Sequence, residues 1–188
     1  MAVKNRDGDV RAHLHEYLRR EIVKDQDAVV IDELTLQRKD GRIDVAVVDS
    51  QLRGYEIKSE ADKLARLTRQ TKIYGRVFDQ LSVVVDDRHM QQVVKEVPAF
   101  WGLYLWLPEI GVELVREPTQ NPEVHKLSLA QLLWRDSAIS LLKTHNAHKG
   151  MSSQPKWKLW PRIAEVCPQE SIHSAVLSQF KNHRRLTT

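Results

Sequence analysis

GRIDVAVVDSQLRGYEIKSEADKLARLTRQTKIY, residues 41–74, reads as strand, tight turn, strand and helix. Arg42 to Val48 is rich in β-branched residues and ends in the turn cluster Asp49-Ser50-Gln51. A second strand, Leu52 to Lys58, follows. If those three residues form the hairpin loop, Val48 pairs with Leu52 and Asp44 lies directly opposite Glu56. Strand side chains alternate between faces, so Asp44, Glu56 and Lys58 project to one side. Ile43, Val45, Val47, Tyr55 and Ile57 project to the other and can enter a core. Two carboxylates about 5 Å apart offer oxygen ligands that suit a hard divalent cation such as magnesium. The competing reading is a solvated strand face on which Lys58 is a cross-strand ion partner.

Ser59-Glu60-Ala61-Asp62 has the spacing of a capping box, with Asp in place of Glu, and predicts a helix from just after Lys58 to about Asp79. On that helix Gln70 and Tyr74 are four apart and share a face. Asp44, Glu56-Ile57-Lys58 and Gln70-x3-Tyr74 together resemble the PD-(D/E)XK nuclease superfamily, in its RecB-like form with a glutamine–x3–tyrosine helix. The run from Glu33 through Trp101-Gly102 also resembles a little-characterised group of bacterial and phage proteins in that superfamily. The likeness covers about Val29 to Leu107, and beyond that extends weakly to Leu133-Trp134-Arg135. Ile43 stands where the superfamily's name puts proline.

The resemblance implies an α/β fold: a restriction-endonuclease-like mixed central sheet flanked by helices. It implies a nuclease that uses Mg2+ or Mn2+ to hydrolyse phosphodiester bonds, with DNA as substrate by fold analogy alone. Asp44, Glu56, the carbonyl of Ile57 and Glu33 would hold the metal, with Glu33 alternatively a turn residue. Lys58 would orient water or stabilise developing charge, Gln70 would position substrate, and Tyr74 would pack beneath or touch phosphate. Arg69, Lys72 and Arg76 form a basic stripe on the same helix, read as a contact for the nucleic-acid backbone or as a solvated face. Repair, mobile-element processing and defence are all compatible contexts. The alternative is a catalytically inactive protein of the same fold that binds nucleic acid or a protein partner.

Composition is that of an ordinary soluble globular chain. Of its 188 residues 41% are hydrophobic and 29% charged, and the formal net charge is +4. No run approaches a membrane span and no signal peptide is evident, so no membrane partner is expected. One cysteine, Cys167, excludes an internal disulfide and a cysteine-rich zinc site, which points to the cytoplasm. Charge is uneven: residues 1–118 carry 19 basic and 21 acidic side chains, residues 119–188 carry 10 and 4. A basic C-terminal part beside clustered carboxylates is read as a phosphate-tracking surface. A homodimer is compatible with the fold, although no stretch marks an interface.

Elsewhere, Asp9 to Lys24 is an amphipathic helix on which His13, His15 and Glu16 read as surface residues, with Glu16 paired to Arg19 or Arg20. Ala28 to Leu34 is a first strand ending at Glu33. Gln37 to Gly41 is a loop, and Gln80 to Val85 is a buried strand beside the hairpin. Asp86 to His89 is a loop and Met90 to Val97 a helix stopped by Pro98. Phe100 to Leu107 and Gly111 to Val115 form a hairpin whose aromatic residues are core, with base stacking by Trp106 the lesser reading. Glu117 to Pro122 is a linker, which divides the chain into a nuclease-like core, 1–118, and a basic helical module, 119–188. Ser128 to Thr144, Trp157 to Val166 and Ser171 to Arg185 are the module's helices.

Overall fold

The computed structural model describes residues 7–22, 25, 27–36, 41–59, 62 and 64–187, the last four by backbone only. Six strands make one mixed sheet in sequential order: β1 (Val29–Leu36), β2 (Gly41–Val48), β3 (Leu52–Lys58), β4 (Gln80–Asp86), β5 (Gly102–Leu107) and β6 (Gly111–Arg116). β1, β2 and β3 pair antiparallel, β3–β4 and β4–β5 are parallel, and β5–β6 is antiparallel. The two parallel joins are made by α2 (Leu67–Tyr74) and α3 (Asp87–Glu96), as parallel strands require a crossover.

One face of the sheet is covered by α1 (Asp7–Glu21), whose Val10, Leu14 and Leu18 are fully buried against Val45, Val47, Tyr55, Ile57, Val84, Tyr104 and Trp106. The other face carries a larger core. There Ala46, Val48, Leu52, Phe78, Leu81, Val83 and Trp101 pack with residues of four C-terminal helices, among them Leu129, Leu142, Leu159 and Ile172. Those helices are α4 (Lys126–Ala130), α5 (Arg135–Thr144), α6 (Lys156–Val166) and α7 (Gln169–Thr187). An α/β sheet flanked by helices, with C-terminal helices, is therefore the fold the sequence led us to expect.

The hairpin register is as read from Val48–Leu52 to Val45–Tyr55, but the ladder ends there, so Asp44 and Glu56 do not form the expected opposed pair. Trp106, 2% exposed, is core. Several local expectations change. Ile43 packs in the core of α2 and the C-terminal helices, away from Val45 and Val47. The cause lies next door in β1, where Glu33 adopts a left-handed backbone with φ 57° and breaks the alternation between strands. α2 starts only at Leu67, after a 3-10 turn at Leu64–Arg66, and ends at Tyr74 rather than near Asp79. Ser59 and Asp62 do bond, with Ser59 N and Oγ both donating to Asp62 Oδ2 at 2.9 and 2.7 Å, but no helix begins there. Residues 60, 61 and 63, and the loop expected at 37–40, lie outside the described residues.

Asp86 to His89 is not a loop. Asp86 caps α3 through its side chain, which accepts from Arg88 N at 3.0 Å, so the helix starts three residues early. The long helix expected over 128–144 is two helices, because Gln179 of α7 holds the break open. Its Oε1 accepts from Trp134 N at 2.7 Å and its Nε2 donates to Leu132 O at 3.0 Å. The expected linker is bonded into the fold: Asn121 is buried, and its Nδ2 donates to Gly75 O and Phe78 O, both at 2.7 Å.

Candidate functional site

β2 and β3 pair through Val45–Tyr55, and beyond that point a side chain continues the connection. Asp44 Oδ2 accepts a hydrogen bond from Ile57 N at 2.7 Å. Glu56 and Lys58, one step to either side on β3, point together to the opposite face. Each side chain is only 3% exposed, and Lys58 Nζ donates to Glu56 Oε1 at 2.5 Å. From α2, Gln70 Nε2 donates to the same Oε1 at 2.5 Å, while its own Oε1 accepts from Lys58 at 3.1 Å. Gln70 also donates to Tyr74 Oη at 3.1 Å, and the Tyr74 hydroxyl donates to Arg42 O at 2.7 Å. So the tertiary fold does bring Glu56, Lys58, Gln70 and Tyr74 into one network, with Asp44 lining the same pocket.

A residue that the sequence reading passed over governs the other side. Arg11 of α1 donates to Asp44 O at 2.5 Å and to Glu33 Oε1 at 2.7 Å, and it also reaches Asp7 at 3.0 Å, Asp32 at 3.4 Å and Asp44 Oδ1 at 3.7 Å. Only its pairing with Asp7, four residues back on the same helix, had a local signal. Glu33, besides Arg11, lies 2.5 Å from Arg42 Nε. Of the residues expected to be surface side chains, Glu16 pairs with Arg20 as read. The histidines are half-buried instead: His13 Nδ1 accepts from Trp106 Nε1 at 2.9 Å, and His15 Nε2 meets Asp32 Oδ1 at 2.8 Å.

The electrostatics follow from burial. Desolvation, and then the Glu56 carboxylate, push Asp44 up to about 7, against the lowering effect of the Ile57 N–H. Burial likewise raises Glu56, and its partner Lys58 opposes that rise. Burial, with Glu56 close by, raises the Tyr74 hydroxyl too. The residues line a pocket of about 350 Å³ whose wall also includes Asp7, Asp62, Arg42, Arg66 and Arg69.

Most acceptor atoms of the network are already engaged. Glu56 Oε2 is left over, buried and without a hydrogen-bond partner. A divalent cation held through Glu56 Oε1 or Asp44 Oδ2 would displace Lys58 and Gln70, or the Ile57 N–H, whereas Glu56 Oε2 and Asp44 Oδ1 make none of those bonds. Among the described residues no three His, Cys, Asp or Glu side chains converge as a metal-holding group. The basic stripe is divided. Arg69 stands with Arg66 at the mouth of this pocket, while Lys72 and Arg76 line a neighbouring one with Glu123 and His125.

The sequence matches the family of bacteriophage P4 protein cII over residues 1–186. The chain belongs to that family. Protein cII of Enterobacteria phage P4 is 31% identical to it over 103 residues, which is 55% of this chain and 39% of that protein. The match thus spans about two-fifths of the relative's length. No solved structure matches.

Membership of the P4 cII family overturns the assignment to the PD-(D/E)XK superfamily. With it go the metal-dependent deoxyribonuclease activity and the hydrolase reading, since both were carried over from that superfamily. The resemblance rested on five polar side chains of a hairpin and a helix. In this fold Glu56, Lys58, Gln70 and Tyr74 hydrogen-bond to one another, and Asp44 bonds Ile57 N beside them, an arrangement that joins the sheet to α2. Among the described residues no helix is long and apolar enough to cross a membrane.

Proposed function

We propose that the chain is a non-catalytic nucleic-acid-binding protein, acting on DNA in the cytoplasm, whose contact surface is the cationic face of the α2 region. The observation that supports this reading is a division of charge. Asp44, Glu56 and Glu33 are occupied by Ile57 N, Lys58, Gln70, Arg11 and Arg42. Arg66, Arg69, Lys72 and Arg76 are all exposed, and among the described residues none of the four has an ion-pair partner. Arg69 and Lys72 lie on α2, with Arg66 in the turn before it and Arg76 just after it, so two cations stand at each of two neighbouring pockets, a spread able to meet more than one phosphate of a backbone. The excess of basic residues after position 118 adds to the attraction.

The test is the salt dependence of DNA affinity, read by fluorescence anisotropy between 50 and 200 mM salt. Arg69→Ala with Lys72→Ala weakens binding and flattens the slope of log K against log salt by about one for each phosphate no longer neutralised. A slope identical in the wild type and the double variant would count against this surface. A wild type with no affinity for DNA would count against the function.

A further inference from the structure

A second pocket, about 540 Å³, opens beside the other half of the edge strand β1. Its floor is apolar, from Val29 to Ile31, and its wall is aromatic. Trp134 stands there 40% exposed, with Phe180 and His183 edge-on at centroid distances of 5.9 and 4.8 Å. The indole sits at the break between α4 and α5, where Gln179 fixes the backbone N–H of Trp134 itself. The polar lining among the described residues is basic or imidazole only: Arg19, His15 and His183. By contrast the first pocket has five carboxylates in its wall.

An apolar, aromatic-walled pocket with a cationic rim and no carboxylate is complementary to a flat, apolar, π-faced group attached to an anion. A nucleobase with its phosphate has that chemistry, and it offers a free face only where it is not stacked in a duplex. Both pockets border β1: Val30 lines this one and Glu33, about 10 Å further along the strand, lines the one that Arg66 and Arg69 also line. We propose that this pocket takes an unpaired nucleobase, stacked on Trp134 with its phosphate at Arg19, so that the nucleic acid bound by this chain is single-stranded. The inference rests on the nucleic-acid-binding reading.

Three labelled probes test it on the full chain: a single-stranded oligodeoxynucleotide, its blunt duplex, and a single-stranded RNA of the same sequence. Trp134→Leu keeps apolar bulk but removes the ring, and Arg19→Ala alters only an exposed side chain of α1. The wild type binds the single strands more tightly than the duplex. Trp134→Leu loses about 10-fold for the single strands and nothing for the duplex, and Arg19→Ala loses affinity in the same direction. Equal loss for single strand and duplex, or no loss in either variant, overturns the proposal, while loss confined to Arg69→Ala with Lys72→Ala keeps the DNA surface and discards this pocket. Self-association or peptide capture that depends on Trp134 overturns it as well. Absence of binding to all three probes removes both readings together.

Discussion

The carboxylate of Asp44 receives the backbone N–H of Ile57 at 2.7 Å, so a side chain of β2 makes the bond that its backbone no longer offers to β3. The strands separate here because β2 follows β1 through the left-handed residue Glu33, while β3 stays in register with β4 as far as Lys58. Asp44 is thereby a structural clamp at the mouth of the pocket. Asp44→Ala leaves Ile57 N–H without a partner and costs about 1–3 kcal/mol in urea unfolding. Asp44→Asn keeps an acceptor oxygen and costs less.

The same carboxyl gives stability an unusual pH dependence. A group held at about 7 in the folded chain, against an ordinary 3.8, is protonated more in the folded state over that interval. Its contribution is full below pH 4 and is lost as pH rises to 7, with an upper bound of about 4 kcal/mol. Glu56, also raised, acts with the same sign. Urea midpoints measured from pH 4 to 8 fall with rising pH, and Asp44→Asn removes much of that fall.

Glu56 and Lys58 are a buried ion pair, so removing one partner strands the other's charge. Glu56→Leu and Lys58→Met each cost about 3–5 kcal/mol. The double replacement costs clearly less than the two single costs combined, since neither charge remains. A double-mutant cycle in urea measures the difference, and strict additivity would show that the pair is not coupled.

α7 is fastened to the sheet by one polar clasp. Asp79 Oδ2 accepts from Leu52 N at 2.6 Å and meets His173 Nε2 at 2.6 Å. That hydrogen bond raises the His173 pKa above its ordinary 6.5, even though burial opposes it. The stability that the imidazolium charge adds to this clasp is full below pH 6.5 and is lost as pH rises through the raised value. His173→Ala lowers the protection of α7 amides from hydrogen exchange at pH 6, and lowers it less at pH 9.

Gly102 is required by close approach. A Cβ there would lie 2.5 Å from Ser82 Oγ and 3.1 Å from Pro118 N, and the second neighbour is backbone. Gly102→Ala lowers stability by about 1–3 kcal/mol, read from the thermal midpoint.

Local chemistry was enough to place much of this fold. The three-residue loop Asp49-Ser50-Gln51 and the period-two alternation determine the β2–β3 register, because a one-residue slip would turn every apolar side chain to the wrong face. The β-branched runs at Val29 and Ser82, and the aromatic and leucine run at Leu103, likewise announced their strands. The meeting of Asp44, Glu56, Lys58, Gln70 and Tyr74 was legible for the same reason, since all five lie within one hairpin and the helix that follows it.

What those residues do to one another was decided only by the tertiary structure. Arg11 reaches them from a helix more than thirty positions away from Asp44, and no periodicity in either segment encodes that approach. Gln179 breaks the helix at Trp134 from 45 residues downstream, overriding an apolar repeat that by itself would run on. Glu33 is read as a metal ligand or a turn residue where the first strand ends, whereas β1 runs on through it to Leu36 with its φ at 57°. Hydrogen-bond partners within a hairpin are dictated by spacing along the chain. Partners between elements depend on how the helices dock, and the burial that drives docking depends on apolar area and not on which polar groups it brings together.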